Sequence, residues 1–125
     1  MGWTGRLDQE EGAGPWRWHE VVRALPAAGP AAPGVAFIGF ACDAGVLRNQ
    51  GRGGAADGPA ALRSALANLP LQACRMLYDA GDVRCERDAL EAAQLEYAAR
   101  TSALLRDGHL PLGLGGGHEI AWAAF

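Results

Sequence analysis

The sequence predicts an α/β fold built on a parallel sheet. Short apolar runs at 35–40, 74–83 and 110–115 read as strands, and helical patterns at 59–69 and 86–108 separate them. A third helix opens at His118, so strand and helix alternate three times, the pattern of parallel α/β architecture. In such sheets ligands bind beyond the carboxyl ends of the strands, and all three strand exits here have unusual compositions.

Residues 1–34 read as an arm and linker. Trp3, Trp16 and Trp18 stand among charges and are expected to pack onto something larger, and PAAGPAAPG (26–34) is a connector. VAFIGF (35–40) is a continuous apolar run suited to a buried strand. The glycine-rich loop ACDAGVLRNQGRGGAADG follows it, and PAALRSALANL then starts a helix with Pro59, whose missing N–H costs nothing there. Leu62, Ala65, Leu66 and Leu69 fall at i, i+3, i+4 and i+7, predicting one apolar stripe before Pro70 ends the helix. CRMLYDAGDV (74–83) reads as a second strand with an Asp-x-x-Asp turn at its exit. In ERDALEAAQLEYAARTSALLRDG the residues Leu90, Ala93, Tyr97, Thr101 and Leu104 share one helix face, and Gly108 suits the position just past the helix end. LPLGLG (110–115) is the third strand and HEIAWAAF the start of a helix.

Length and composition bound the function. The 125 residues suffice for one domain, and half are hydrophobic, but many are alanine, so burial rests on Leu, Val, Ile and the aromatics. A net charge of −3 without a basic cluster argues against nucleic acid as a partner. All 11 basic residues are arginine, which looks like coding bias. Cys42, Cys74 and Cys85 are odd in number and form no CxxC pair, so a disulfide framework is disfavoured and a reducing cytoplasm fits. The N-terminus lacks the apolar core of a secretory signal, and no run approaches the length of a membrane span.

The exits hold the candidate chemistry. A lone histidine such as His118 is ordinarily a helix cap or a packed core residue. Here three glycines precede it, which permits close backbone approach to a ligand, and the following helix start favours the neutral ring that a metal ligand needs. Metal ligation and the structural role both stay open. Glu119 either supports a neighbouring ligand from behind or is an acid of the first helical turn. Asp82 reads as a turn cap, and Asp79 is left open between metal, ligand and turn. Arg48 and Arg52, with Asn49 between them, offer charge-assisted and amide hydrogen bonds for a carboxylate, against the plainer possibility of a solvated loop. GRGGAA (51–56) also matches a dinucleotide-binding fingerprint, but it begins about ten residues after its strand where the fingerprint demands immediate succession.

Together these residues resemble the N-terminal part of the arginase, or ureohydrolase, family, whose members hydrolyse guanidino or amidino groups at a binuclear manganese centre. Three blocks carry the likeness: VAFIGFACDAGVLRNQGRGGAADGPAALRSAL, LYDAGDV and GLGGGHEIAWAAF, roughly residues 35–125 in order. The resemblance implies a three-layer αβα fold, incomplete here, with residues 35–125 supplying the first three βα units. Within the family the chain looks most like the formimidoylglutamase branch. It shows Gly116-Gly117-His118-Glu119 where arginases and agmatinases usually show Gly-Gly-Asp-His, and WTGRLDQEEG and RWHEVV look like that branch's N-terminus. The implied reaction is hydrolysis of N-formimidoyl-L-glutamate to glutamate and formamide, a step of histidine breakdown, with agmatinase-like or arginase-like chemistry as the alternative and a nucleotide-binding module behind both.

By this resemblance His118 is the first ligand of a manganese pair that acidifies a bridging water, and is itself neither nucleophile nor base. Apart from the resemblance, Glu119 and Asp79 are candidates to stand behind that ligand. From their charge and hydrogen-bonding capacity, and not from the resemblance, Arg48, Asn49 and Arg52 are expected to border the entrance of a small-molecule dicarboxylate substrate. The family's other ligands, an Asp-x-His-x-Asp and a later Asp-x-Asp, are absent, so no catalytic residue is expected in this chain and the chain by itself should be inactive. The complete enzyme is expected to be a cytoplasmic homo-oligomer, and the isolated segment, with an unpaired sheet edge, marginally stable or self-associating.

Overall fold

A computed structural model describes residues 2–7, 16–72 and 75–125. Cys74 and residues 8–12 of the arm, which entered the expectations above, lie outside that description. The elements are α1 (Trp18–Val21), β1 (Arg23–Ala24), β2 (Val35–Ala41), α2 (Ala44–Arg48), a 3-10 turn at Ala55–Asp57, α3 (Gly58–Ala67), β3 (Leu77–Arg84), α4 (Leu90–Arg106), β4 (Leu110–Gly115) and α5 (Ile120–Ala124). The described strands form one parallel sheet in the order β1-β3-β2-β4. The sequence pattern has three of these strands. The fourth, β1, comes from the arm and is only two residues long, too short to show periodicity.

β2 is central, and its two faces feed two apolar cores. Ala36, Ile38 and Phe40 pack with Tyr78, Val83, Leu90 and Tyr97 beneath α4 and α5. Phe37 points the other way, to Trp3, Val22, Ala67, Leu77 and Leu114 beneath α1 and α3. Alternation along one strand thus feeds both helical layers, which is the expected αβα sandwich. Trp3 stacks on Trp18 with ring centroids 6.4 Å apart, and both rings tilt against Phe37, so the arm caps the second core. Trp16 stays exposed.

α4 presents the five predicted residues inward: Leu90, Ala93, Tyr97, Thr101 and Leu104 are all buried. Tyr97 meets Phe40 edge-on at 5.6 Å, an aromatic contact worth about 1 kcal/mol beyond its buried area. The helix ends where glycine is needed. Gly108 has φ +85°, the Gly108 N–H donates to Leu105 C=O at 3.1 Å, and the His109 N–H donates to Leu104 C=O at 2.9 Å.

α3 departs from expectation. Leu62 and Leu69 face outward, and the buried positions are Pro59, Arg63 and Ala67. The apolar stripe loses to an ion pair. Arg63 must face the sheet to reach Asp79 and Asp82, and a helix that turns Arg63 inward turns Leu62 out.

β3 also differs. It does not turn at Asp79 but runs on to Arg84, absorbing one extra residue on the way: Phe37 pairs with Asp79, while Gly39 pairs with Asp82. Gly81, at φ +82°, supplies the backbone for this bulge. Residues three apart on a regular strand face opposite sides. The bulge brings Asp79 and Asp82 to the same side, toward Arg63.

Candidate functional site

The carboxyl end of the sheet gathers the three exits, and glycines set how closely they pack. After β4 the Gly116 N–H donates to Phe40 C=O at 3.2 Å and the Gly117 N–H to Cys42 C=O at 3.0 Å. The third exit therefore runs alongside the first beyond the end of the strands. A Cβ on Gly116 would overlap Phe40 and Cys42 backbone, and one on Gly58 would overlap the Gly115 carbonyl. Neither overlap can be relieved by a side-chain rotation, so alanine at either position would push the exits apart.

His118 is next in line. Its side chain is exposed and makes no hydrogen bond or ion pair to the described residues. Its backbone is held on both sides. Gly117 is tied to Cys42, and Glu119 is tied twice: its carboxylate accepts from Gly45 N–H at 3.2 Å, and its carbonyl accepts from Gln94 Nε2 at 3.0 Å. Glu119 is thus not merely an acid of its own first turn. It meets a backbone donor in the first turn of α2, across two exits that the sequence separates by 74 positions.

Asp79 belongs elsewhere. It pairs with Phe37 well before the strand ends and is almost fully buried. Its carboxylate accepts from Trp3 Nε1 at 2.5 Å, Arg63 Nε at 2.7 Å, Arg63 Nη2 at 3.1 Å and Gly81 N–H at 2.7 Å. Burial opposes its charge, but those hydrogen bonds outweigh burial and hold the carboxyl below the usual range. Asp79 joins arm, sheet and α3, and its bonded partners among the described residues are Trp3, Arg63 and Gly81. Asp82, expected to cap a turn, instead lies 2.7 Å from Arg63 Nη1 on the same strand.

The loop arginines separate into two kinds. Arg48 donates through Nε to Asp88 at 2.7 Å and through Nη1 to Glu91 at 2.6 Å, with Nη2 reaching the Asp88 carbonyl and Glu91. The paired guanidinium draws the Glu91 carboxyl down to about 2. Arg48 therefore ties α2 to the start of α4 with its charge already met by two carboxylates. Asn49 closes α2, its N–H donating to Gly45 C=O at 3.1 Å, and its side chain is exposed. Arg52 is exposed and makes no ion pair or hydrogen bond to the described residues. The loop itself is braced by Asp43, which accepts from Gly54 N–H at 3.0 Å. Because α2 stands between β2 and GRGGAA, the dinucleotide fingerprint has no strand end to work from, and that possibility falls away.

Two cysteines close the edge. Cys42 follows β2 and Cys85 follows β3, with the Cys85 N–H donating to Ala41 C=O at 3.4 Å. Both are free thiols. Burial first, and then hydrogen bonding with Cys85, push the Cys42 thiol up to about 12. Their spacing in sequence carries no signal of this meeting.

Among the described residues no three His, Cys, Asp or Glu side chains converge tightly enough to hold a metal ion. His118 suits one corner of such a site: a free imidazole on an anchored backbone. No helix of the described residues is long and apolar enough to cross a membrane.

The chain is similar in sequence and fold to known proteins. The model of the arginase family matches residues 33–125. A formimidoylglutamase from Ralstonia nicotianae is 57% identical over 123 residues, covering 98% of this chain and 38% of the relative. One from Chromobacterium violaceum is 57% identical over 120 residues, covering 96% of this chain and 38% of the relative. Among solved structures, a variant of the Trypanosoma cruzi formiminoglutamase with Mn2+ superposes with a TM-score of 0.67 at 34% identity, over 74% of this chain and 33% of that one. This chain thus spans about 38% of the length of the curated relatives it matches. With the arginase-family model matching residues 33–125 and a solved formiminoglutamase superposing at a TM-score of 0.67, the chain belongs to the arginase family.

Proposed function

We propose that this chain is a segment of a manganese-dependent amidine hydrolase that acts on N-formimidoyl-L-glutamate. The observation that carries the proposal is the unbonded His118 imidazole, standing on a backbone anchored by Cys42, Gly45 and Gln94 at the carboxyl edge of the sheet. The identity of 57% to formimidoylglutamases supports this substrate over agmatine or arginine. Relatives in solved structures carry Mn2+, and an imidazole suits that ion.

His118 would hold manganese in the whole protein, with its remaining ligands outside this chain. Bound divalent manganese acidifies water enough for attack on an amidine carbon near neutral pH. The residues of this chain position and recognise. No described neighbour claims the His118 ring, which leaves it open to a ligand. Arg52, exposed on the loop after α2, offers a planar fork of donors that matches a carboxylate of the glutamate moiety. Arg48 holds that loop's helix in place through Asp88 and Glu91. A cytoplasmic, homo-oligomeric enzyme completes the proposal, and the free thiols Cys42 and Cys85 agree with a reducing compartment.

The test is hydrolysis by the full-length protein loaded with Mn2+, followed as formamide release from N-formimidoyl-L-glutamate. Agmatine and arginine serve as competing substrates. Release only from the formimidoyl compound supports the proposal, and preference for either guanidino substrate assigns a different branch of the family.

A further inference from the structure

The geometry points to Glu119 as a positioning residue for His118, latching the third strand exit onto the first through Gly45. Glu119 lies next to the imidazole in sequence, yet its carboxylate is spent on another part of the chain. Oε1 accepts from Gly45 N–H at 3.2 Å, and the carboxylate fills space that a Cβ on either Gly45 or Gly117 would occupy. Two glycines, one on each exit, thus leave room for a single side chain.

The latch acts with two further ties. Gly117 N–H donates to Cys42 C=O at 3.0 Å on one side of His118, and Gln94 Nε2 donates to Glu119 C=O at 3.0 Å on the other. The backbone of His118 is therefore fixed from the exit of β2, from α2 and from α4, while its ring makes no bond to the described residues. A ligand placed in this way loses little freedom on binding, and removing such supports ordinarily costs tenfold or more in metal affinity. An amide in place of the carboxylate keeps an oxygen for the Gly45 N–H. Rescue by glutamine is therefore the mark of a latch, as opposed to a charge that faces the ion.

This inference rests on His118 being a manganese ligand. The experiment uses the full-length protein and measures Mn2+ affinity by electron paramagnetic resonance, with thermal unfolding of the metal-free protein and amide exchange at Gly45 alongside. Glu119→Ala should weaken Mn2+ binding by about tenfold or more and speed Gly45 exchange, while Glu119→Gln should stay within about threefold of the native protein. Gly45→Ala should weaken binding as Glu119→Ala does, because the new methyl displaces the end of a flexible side chain rather than backbone. The double variant should then be no worse than Glu119→Ala alone, since both changes remove one contact.

Native Mn2+ affinity in Glu119→Ala, with only the metal-free unfolding temperature lowered, would overturn the latch and leave the proposed function standing. Equal losses in the glutamine and alanine variants would also overturn it, because the carboxylate charge would then be what matters. A native protein that binds no Mn2+ would overturn both.

Discussion

The Arg63 guanidinium grips the Asp79 carboxylate with two prongs, Nε to Oδ2 at 2.7 Å and Nη2 to Oδ1 at 3.1 Å, between α3 and β3 and away from solvent. Asp82 adds a second carboxylate at 2.7 Å, and Trp3 ties the arm to the same group. Removing the cation would leave the buried Asp79 carboxylate without its charged partner. Arg63→Ala is therefore expected to destabilise the full-length protein by about 3–5 kcal/mol in urea unfolding, with Arg63→Lys in between because lysine keeps charge but not the fork. A loss under about 1 kcal/mol would mean that water reaches the pair.

The same pair sets a response to acid. The folded Asp79 carboxyl titrates below its ordinary value, so its stabilisation is present at every pH above that value and is lost as pH falls through the folded pKa. Urea midpoints should hold steady from neutral pH to about 5 and fall steeply below about 4. Asp79→Asn, weaker at neutral pH, should show a shallower acid limb. Parallel limbs in the two proteins would assign the acid response to other carboxylates.

Cys42 and Cys85 should react at different rates. A pKa of about 12 leaves roughly one Cys42 thiol in ten thousand ionised at pH 8, and the side chain is buried as well. Cys85 is partly exposed. Iodoacetamide followed by peptide mass mapping should label Cys85 in the native protein and spare Cys42 until denaturant is added. Labelling at equal rates would contradict the packing at this edge.

Much of this was legible in the sequence and some was not. The inward face of α4 and the glycine at its end were readable because periodicity and left-handed backbone are local properties. The inward face of α3 was not, since Arg63 displaces the leucine stripe for partners on another strand. Asp79 and Asp82 looked like a turn because a bulge cannot be told from a turn by residue type alone. At the exits, the glycines and His118 stood out, whereas the bond between Glu119 and Gly45 spans two segments with no shared local pattern. Arg48 and Arg52 looked equivalent for the same reason: Asp88 and Glu91, which distinguish them, lie 40 and 43 residues from Arg48.

That distinction has a kinetic consequence. Arg52→Ala should raise KM for the dicarboxylate substrate by about tenfold to a hundredfold with kcat little changed, as loss of a charge-assisted hydrogen bond does. Arg48→Ala should leave KM nearly unchanged, because its guanidinium serves Asp88 and Glu91. The reverse ranking in steady-state assays would return the substrate role to Arg48.

The most direct test concerns His118. Mn2+ should be titrated by calorimetry into the full-length protein and its His118→Ala variant, with formamide release from N-formimidoyl-L-glutamate measured in the same samples. One corner of a two-ion site lost should abolish one of the two binding events and reduce turnover by at least about a hundredfold. Two intact Mn2+ sites and undiminished turnover in His118→Ala would contradict the account.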